Sequence, residues 1–303
     1  MIRRSSSLAN VAAYAACVLI WGTTWLAIKV ALHGFPTVTG AGVRFLVASA
    51  VLFAAGAIAR VGSRNRPPVH LILVLAVTLF GFNYAMTYLA ETKLPSGLVA
   101  VLFGTMPFFI FGFAHAMIGE RARLATLVGA LLALAGVATI SLAGDARGQA
   151  LYVLAALAAS ASSAFANVYL KKFARAEPLA TLPPAMFLAG LGMVVYGASF
   201  EHTDWRAATT PSSLGAIAYL AVCGSALAFF LNHWLLQRVD AGIVGLSALM
   251  IPVVAVAVGT LFGGESFGAR DFLGGVLVIG GVSLSMVRPR SHVKRTAGSQ
   301  SAA

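Results

Sequence analysis

Runs of about 20 predominantly apolar residues follow one another along nearly the whole chain, each long enough to cross a bilayer core. Ten can be drawn, near residues 10–32, 38–59, 69–89, 96–118, 124–142, 149–170, 182–200, 214–236, 241–262 and 271–287. The polar breaks between them are short and hold turn formers, as in Gly34-Phe35-Pro36, Arg66-Pro67-Pro68 and Pro211-Ser212. The strict alternation of a membrane barrel strand is absent. The pattern predicts an all-α, polytopic membrane protein of ten transmembrane helices, with a basic, Ser- and Ala-containing tail at 291–303 expected to be disordered.

The pattern also repeats. Shifted by 145 positions, Gly97–Val137 falls on Gly242–Val282 with nine identities in 41 positions and no gap. Pro107 meets Pro252, and Gly119-Glu120 meets Gly264-Glu265. Matched Pro and Glu weigh more than matched Ala or Leu, because both types are scarce here. A match at fixed period means a duplicated structural unit. Here the period covers five spans, an odd number, so the second copy enters the membrane from the opposite side. The expectation is two inverted five-helix repeats, residues 1–145 and 146–290, the architecture of many secondary transporters, whose site lies near the midplane between the halves. The front of each half matches more weakly. At an offset of 142, Trp21, Trp25 and Lys29 fall on Ser163, Asn167 and Lys171, each set on one helix face. At 145, Tyr84, Thr87 and Tyr88 fall on Phe229, Asn232 and His233.

Composition agrees: 59% of the 303 residues are hydrophobic and 10% are charged, against about 25% charged in soluble domains. The net charge of +12 comes from basic residues in short loops, which is an orientation signal rather than a nucleic-acid footprint. Of the 21 Lys and Arg, fifteen lie at one set of span ends, among them Arg60, Arg64, Arg121 and Lys171, and four at the other. That places both termini in the cytoplasm. The first apolar run exceeds the 7–15 residues of a signal-peptide core and has a counterpart later in the chain, so it reads as a helix. Cys17 and Cys223 lie inside apolar runs and read as packing residues, not a disulfide.

Candidate chemistry lies in the polar residues inside spans. Asn83-Thr87-Glu91 and Tyr84-Tyr88 form neighbouring stripes on the third span, and Ser225, Asn232 and His233 lie on the eighth. Such side chains need partners or water, either as helix-to-helix hydrogen bonds or as the lining of a shared cavity. Trp21 and Trp25 sit too deep for an interfacial belt, so they wall a cavity or pack in the core. Pro107 and Pro252 remove a backbone hydrogen bond and free the carbonyls of Phe103 and Ala248, which makes them candidates for helix bends that gate. Lys29 and Arg44 lie inside spans, where they either snorkel or carry a charge role. Glu120 and Glu265 read as solvated or capping residues. The nine acids fall at span ends or in loops, leaving His115 and His233 as the deep titratable groups. A positively charged solute would find no midplane counter-ion, so a neutral or zwitterionic one fits better. No metal ligand set, cofactor motif or catalytic constellation stands out. Gly245-Leu246-Ser247 with His233 supplies a nucleophile and a base in principle, but an intramembrane protease gives no reason for a duplication.

Trp21-Gly22-Thr23-Thr24-Trp25, Gly42-Val43-Arg44-Phe45, Pro95-Ser96-Gly97, Pro107 and Gly119-Glu120, with Pro252-Val253-Val254-Ala255 and Gly264-Glu265 in the second half, resemble the EamA-like transporters of the drug/metabolite transporter superfamily. The resemblance covers roughly residues 10–287. It implies two inverted repeats, a central cavity lined by helices 1, 3, 4, 6, 8 and 9, and movement of small metabolites, often amino-acid export, across a bacterial inner membrane. Where many relatives carry a Trp in helix 6, Ser163 stands here. The expected site is Trp21, Trp25, Asn83, Tyr84, Thr87, Tyr88, Asn167, Asn232 and His233. The expected partners are a small-molecule substrate and the lipid bilayer, with no nucleic acid and a homodimer left open. An importer or uncoupled facilitator of the same solutes, and a structural membrane protein, are the alternatives.

Overall fold

The computed structural model describes residues 7–61, 66–94, 96–120, 124–141, 150–173 and 175–262, with isolated positions between 269 and 284. Arg3, Arg4, Arg64, Pro95, Arg121, Arg123, Gly264-Glu265, most of the tenth span and the 291–303 tail lie outside the described residues.

Among the described residues the chain is all helical, without strands. Six helices are long and apolar enough to cross a membrane. Five of them are α1 (Ser7–Leu32), α2 (Thr37–Ile58), α7 (Ala150–Lys172), α8 (Pro178–Phe200) and α9 (Pro211–Leu236). The sixth is α3 (Val69–Glu91). Shorter helices lie between and after them: α4 (Ser96–Phe103), α5 (Met106–Ile118), α6 (Leu124–Ser141), α10 (Ala241–Gly245) and α11 (Ser247–Phe262), with a single turn at Trp205–Ala208 before α9.

The distribution of side chains suits hydrocarbon outside and polar groups within. Leu19, Phe53, Val77, Leu131, Leu154 and Val195 are exposed, whereas Thr24, Asn83, Ser163, Asn167, Asn232 and Arg44 are buried. Helices apolar all round are what a bilayer demands, since only the backbone and the bundle interior can satisfy polar atoms there.

Small residues let α2 and α8 approach closely. A Cβ on Gly42 would lie 2.9 Å from Val194 N and 3.0 Å from Gly190 O, and one on Gly190 would lie 2.9 Å from Gly42 O. Backbone, not flexible side chain, occupies that space, so Gly is required at both. Glu201, just past α8, ties the same seam at one end. It accepts from Thr37 Oγ1 (2.8 Å), Val38 N (3.0 Å), Thr39 N (2.8 Å) and Thr39 Oγ1 (2.7 Å), capping the start of α2. Burial opposes its charge, but these bonds outweigh that and hold its carboxyl below the ordinary range.

Helix bounds recur at the sequence offsets. Adding 142 to the ends of α2 gives 179 and 200, and α8 runs Pro178–Phe200. Two departures from regular helix recur with them. In α3 the stretch Leu75–Phe82 is π-helical, and in α9 so is Val222–Leu227; the 145 shift carries Phe82 onto Leu227.

The two prolines are not placed alike. The fourth span breaks at Gly104-Thr105, so Pro107 sits in the first turn of α5 rather than mid-helix. There its missing N–H costs nothing intrahelical. In the ninth span the break falls at Leu246, and Pro252 lies inside α11.

Candidate functional site

A partly open cavity lies in the middle of the bundle. From α1 it takes Trp21, Thr24, Trp25 and Ile28, from α3 Asn83, Tyr84 and Thr87, and from α7 Ser163 and Asn167. From α9 it takes Phe229, Asn232 and Leu236. Phe103, Met106 and Ile110 close it on the side of α4 and α5, and residues from Ala241 to Ile251 on the side of α10 and α11. None of its lining residues carries a formal charge.

Helical period explains the convergence. Trp21 and Trp25, Asn83 and Thr87, and Ser163 and Asn167 are i, i+4 pairs, each presenting two side chains from one face. The polar members are held in a short relay. Asn167 Nδ2 donates to Ser163 O at 2.8 Å, and Asn232 Nδ2 donates to Asn167 Oδ1 at 2.8 Å, joining α7 to α9. Asn83 Nδ2 donates to Leu79 O at 3.0 Å, and Thr87 Oγ1 donates to Asn83 Oδ1 at 3.4 Å. Fixed in this way, the amides present defined atoms to a solute without ordering cost at binding.

The apolar wall is aromatic. Trp21 meets Phe229 edge to face at 5.5 Å, and Trp25 meets Phe103 at 5.9 Å. Trp21 Nε1 donates to Gly224 O at 3.3 Å, inside the π-helical stretch of α9. Trp25 Nε1 is buried at the wall with no partner among the described residues.

Of the residues expected from the sequence, Trp21, Trp25, Asn83, Tyr84, Thr87, Asn167 and Asn232 meet at this cavity. Tyr88 and His233 are fully buried and stand outside its lining. His115 is exposed on α5, away from the cavity. Lys29, in the last turn of α1, is half-buried and also outside it. Pro107 and Pro252 are buried and do not line it, although Phe103 and Ala248, four residues before each, do; only Pro252, inside α11, withholds a helical hydrogen bond from the carbonyl behind it. Phe103 O is taken up by Ser160 Oγ of α7 at 3.2 Å. Thr24, Met106, Ile110, Val244 and Ile251 were not anticipated. Thr24 could have been found by extending the Trp21 stripe by three residues; the aliphatic ones are indistinguishable in sequence from any lipid-facing position.

Ser247 lines the cavity, but its hydroxyl donates to Val244 O at 2.7 Å, and His233 is not beside it in the lining. No nucleophile–base hydrogen bond joins them, and among the described residues no cluster of His, Cys, Asp or Glu could hold a metal ion.

One mouth of the bundle is fastened by charge. Lys171 Nζ donates to Leu236 O and Val239 O, both at 2.7 Å, capping the end of α9. Glu120, after the left-handed Gly119 that stops α5 (φ 70°), stands near it. Burial and then the charge of Asp240 push the Glu120 carboxyl up; Lys171 and the backbone N–H groups of Ala241 and Gly242 pull it back in part.

Comparison with known proteins agrees with this arrangement. The model of the EamA-like transporter family matches twice, at residues 9–142 and 150–287. A protein of Escherichia coli (strain K12) described as an uncharacterized inner membrane transporter, YedA, is 30% identical over 278 residues, covering 89% of each chain. A protein of Salmonella typhimurium described as a probable amino-acid metabolite efflux pump is 28% identical, covering 92% of this chain and 95% of its own. A solved structure titled only as a crystal structure of a protein matches the fold with a TM-score of 0.80 at 24% identity, over 93% of this chain and 98% of its own. Apolar helices and relatives together make this a multi-pass inner-membrane protein, and the chain belongs to the EamA-like transporter family.

Proposed function

We propose that the protein is a secondary transporter that exports a small neutral or zwitterionic metabolite, an amino acid or similar, by alternating access. The moving units are two inverted five-helix repeats, residues 1–145 and 146–290, ten transmembrane helices in all, with both termini in the cytoplasm. The observation that carries this reading is the uncharged cavity walled by equivalent stripes of both halves: Trp21 and Trp25 with Ser163 and Asn167, and Tyr84 and Thr87 with Phe229 and Asn232. Aromatic faces take an apolar side chain, and the amide relay takes a polar headgroup. The twofold family match, the recurring helix bounds and the paired π-helical stretches support the duplication. The Salmonella relative's name favours export.

Trp21, Trp25, Asn83, Tyr84, Thr87, Asn167 and Asn232 form the site. Tyr88 and His233 act from behind the wall, and the helix breaks near Pro107 and Pro252 let the α4–α5 and α10–α11 arms pivot.

The test is a comparison of intracellular and extracellular metabolite pools in cells overproducing the protein and in cells producing Asn232→Ala. The wild type should lower the inside-to-outside ratio of one amino-acid-like solute. Asn232→Ala should lose that effect while remaining inserted in the membrane. Unchanged pools in both, or equal export by the variant, would defeat the proposal. Flux into proteoliposomes with and without a pH gradient separates coupled export from facilitated movement.

A further inference from the structure

One buried cation stands against this cavity without lining it. Arg44, on α2, is 1% exposed. Its guanidinium is fixed from behind by the π-helical stretch of α9: Nε donates to Ser225 Oγ at 2.7 Å and Nη2 to Gly224 O at 3.1 Å. In front, Cζ lies 4.7 Å from the ring centroid of Tyr84, which lines the cavity. Nη1 is buried with no hydrogen-bond partner among the described residues. Glu91, buried at the end of α3 seven residues beyond Tyr84, lies roughly 10 Å further along the axis, and Tyr88 between them is within electrostatic reach of both Glu91 and Arg44. The equivalent positions in the other half are Met186 for Arg44 and Phe80 for Ser225, both fully buried and apolar.

Burying a guanidinium with one donor open carries a large desolvation cost, and stacking on Tyr84 and Phe45 offsets only part of it. A bundle needing only packing would repeat the Met–Phe pair. The charge is oriented, present in one half alone, and one aromatic ring away from an uncharged cavity. At low dielectric such a charge is weakly screened and sets the sign of the potential inside.

We propose that Arg44 is the specificity-determining charge of the cavity and selects solutes that carry a carboxylate. It is a positioning residue, acting through Tyr84 and its field. The carboxylate turns toward Tyr84, and the remainder of the solute lies along Trp25 and Phe103. This deepens the transporter reading and rests on the cavity being the solute site.

The test is a thermal-shift titration of the purified full-length protein with a panel of amino acids, each alongside its carboxamide and its decarboxylated amine. The readout is the ratio of Kd for the carboxamide to Kd for the acid. A general loss of stability weakens both ligands together and leaves that ratio alone. In the wild type the best-binding acid should be at least about tenfold tighter than its carboxamide, a step worth about 1.4 kcal/mol. Arg44→Gln should bring the ratio to about one. If Arg44→Gln is not recovered folded, Arg44→Lys and Ser225→Ala carry the test: each keeps a cation but loosens its seat, and each should cut the ratio to about threefold. Acids and carboxamides binding alike in the wild type, or a ratio unchanged in the variants, overturns the assignment while leaving a solute site in place. Binding by no panel member sinks the cavity reading and this inference with it.

Discussion

Helices α3 and α9 contain the same backbone device and use it differently. Both are π-helical at the same register, Leu75–Phe82 and Val222–Leu227, and in both a carbonyl at the equivalent position takes a side-chain donor. In α3 that carbonyl, Leu79 O, is served from its own helix by Asn83 at 3.0 Å. In α9 the counterpart, Gly224 O, receives Trp21 of α1 and Arg44 of α2. A π stretch widens the helix and frees carbonyls, and such stretches concentrate at functional sites. One copy spends the free acceptor locally; the other ties three helices together and seats a charge. The two helices thus share a backbone device and differ in the side chains that serve it.

Making the second copy read like the first is the strongest way to break this comparison. Gly224→Leu copies Leu79, but a Cβ there already lies 2.7 Å from Thr24 Cγ2 and 3.3 Å from Arg44 Nη2. Overpacking and an unseated buried charge should together cost on the order of 3–5 kcal/mol. We expect little folded protein by size-exclusion chromatography and no transport; a folded, active variant would show the second copy's tie to be dispensable.

Asn83→Ala leaves the donor gap in the first copy. It removes the partner of Leu79 O and of Thr87, a loss of about 1–3 kcal/mol, and should lower transport about tenfold or more. Trp21→Phe keeps the ring against Phe229 and loses only the bond to Gly224 O, which Arg44 still serves. Its effect on flux should be about threefold, the lower end for one neutral hydrogen bond. Equal losses in the two variants would mean that the two carbonyls depend alike on their donors.

The proline helices extend the contrast. Ser160→Ala leaves Phe103 O without its hydroxyl donor and should reduce stability by about 1 kcal/mol in a denaturation titration. At the offset of 142 the position equivalent to Ser160 is Val18, so the α11 bend has no matching hydroxyl from α1.

The smallest effect is a pH dependence at Glu201. Its folded-state pKa is depressed, so its contribution is present above the ordinary carboxyl pKa and is lost as pH falls through the lowered folded value. Wild-type melting temperature should therefore fall on acidification by more than that of Glu201→Gln, with the two curves converging at the acid end. Parallel curves would deny the cap its charge.

The apolar runs made the helices legible, because bilayer thickness fixes their length. The polar stripes made most of the cavity legible, because i, i+4 spacing survives folding: Asn83 with Thr87 and Trp21 with Trp25 needed only the helix. What stayed hidden depends on neighbours. Nothing in Leu75–Phe82 marks a π-helical stretch, since the composition is that of any span. Tyr88 and His233 share their polar character with Tyr84 and Asn232, yet stand outside the lining, a distinction set by the packing of α3 and α9 and not by residue type. The helix break at Gly104-Thr105 precedes the proline that advertises it, and the break at Leu246 follows Gly245, one glycine among many in this chain. Arg44 was visible as an intramembrane cation, but its partners lie some 180 positions away in sequence.

Opposed orientation of the two halves is tested most directly by substituted-cysteine accessibility at one pair of equivalent positions. Arg60, at the end of α2, and His202, at the end of α8, are related by the 142 offset. Each would be replaced by Cys in a background carrying Cys17→Ala and Cys223→Ala, which removes both native thiols. An impermeant maleimide should label the Arg60→Cys protein only from the cytoplasmic side and the His202→Cys protein only from the periplasmic side. Labelling of both from the same side would contradict the inverted duplication on which the cavity's transport role depends.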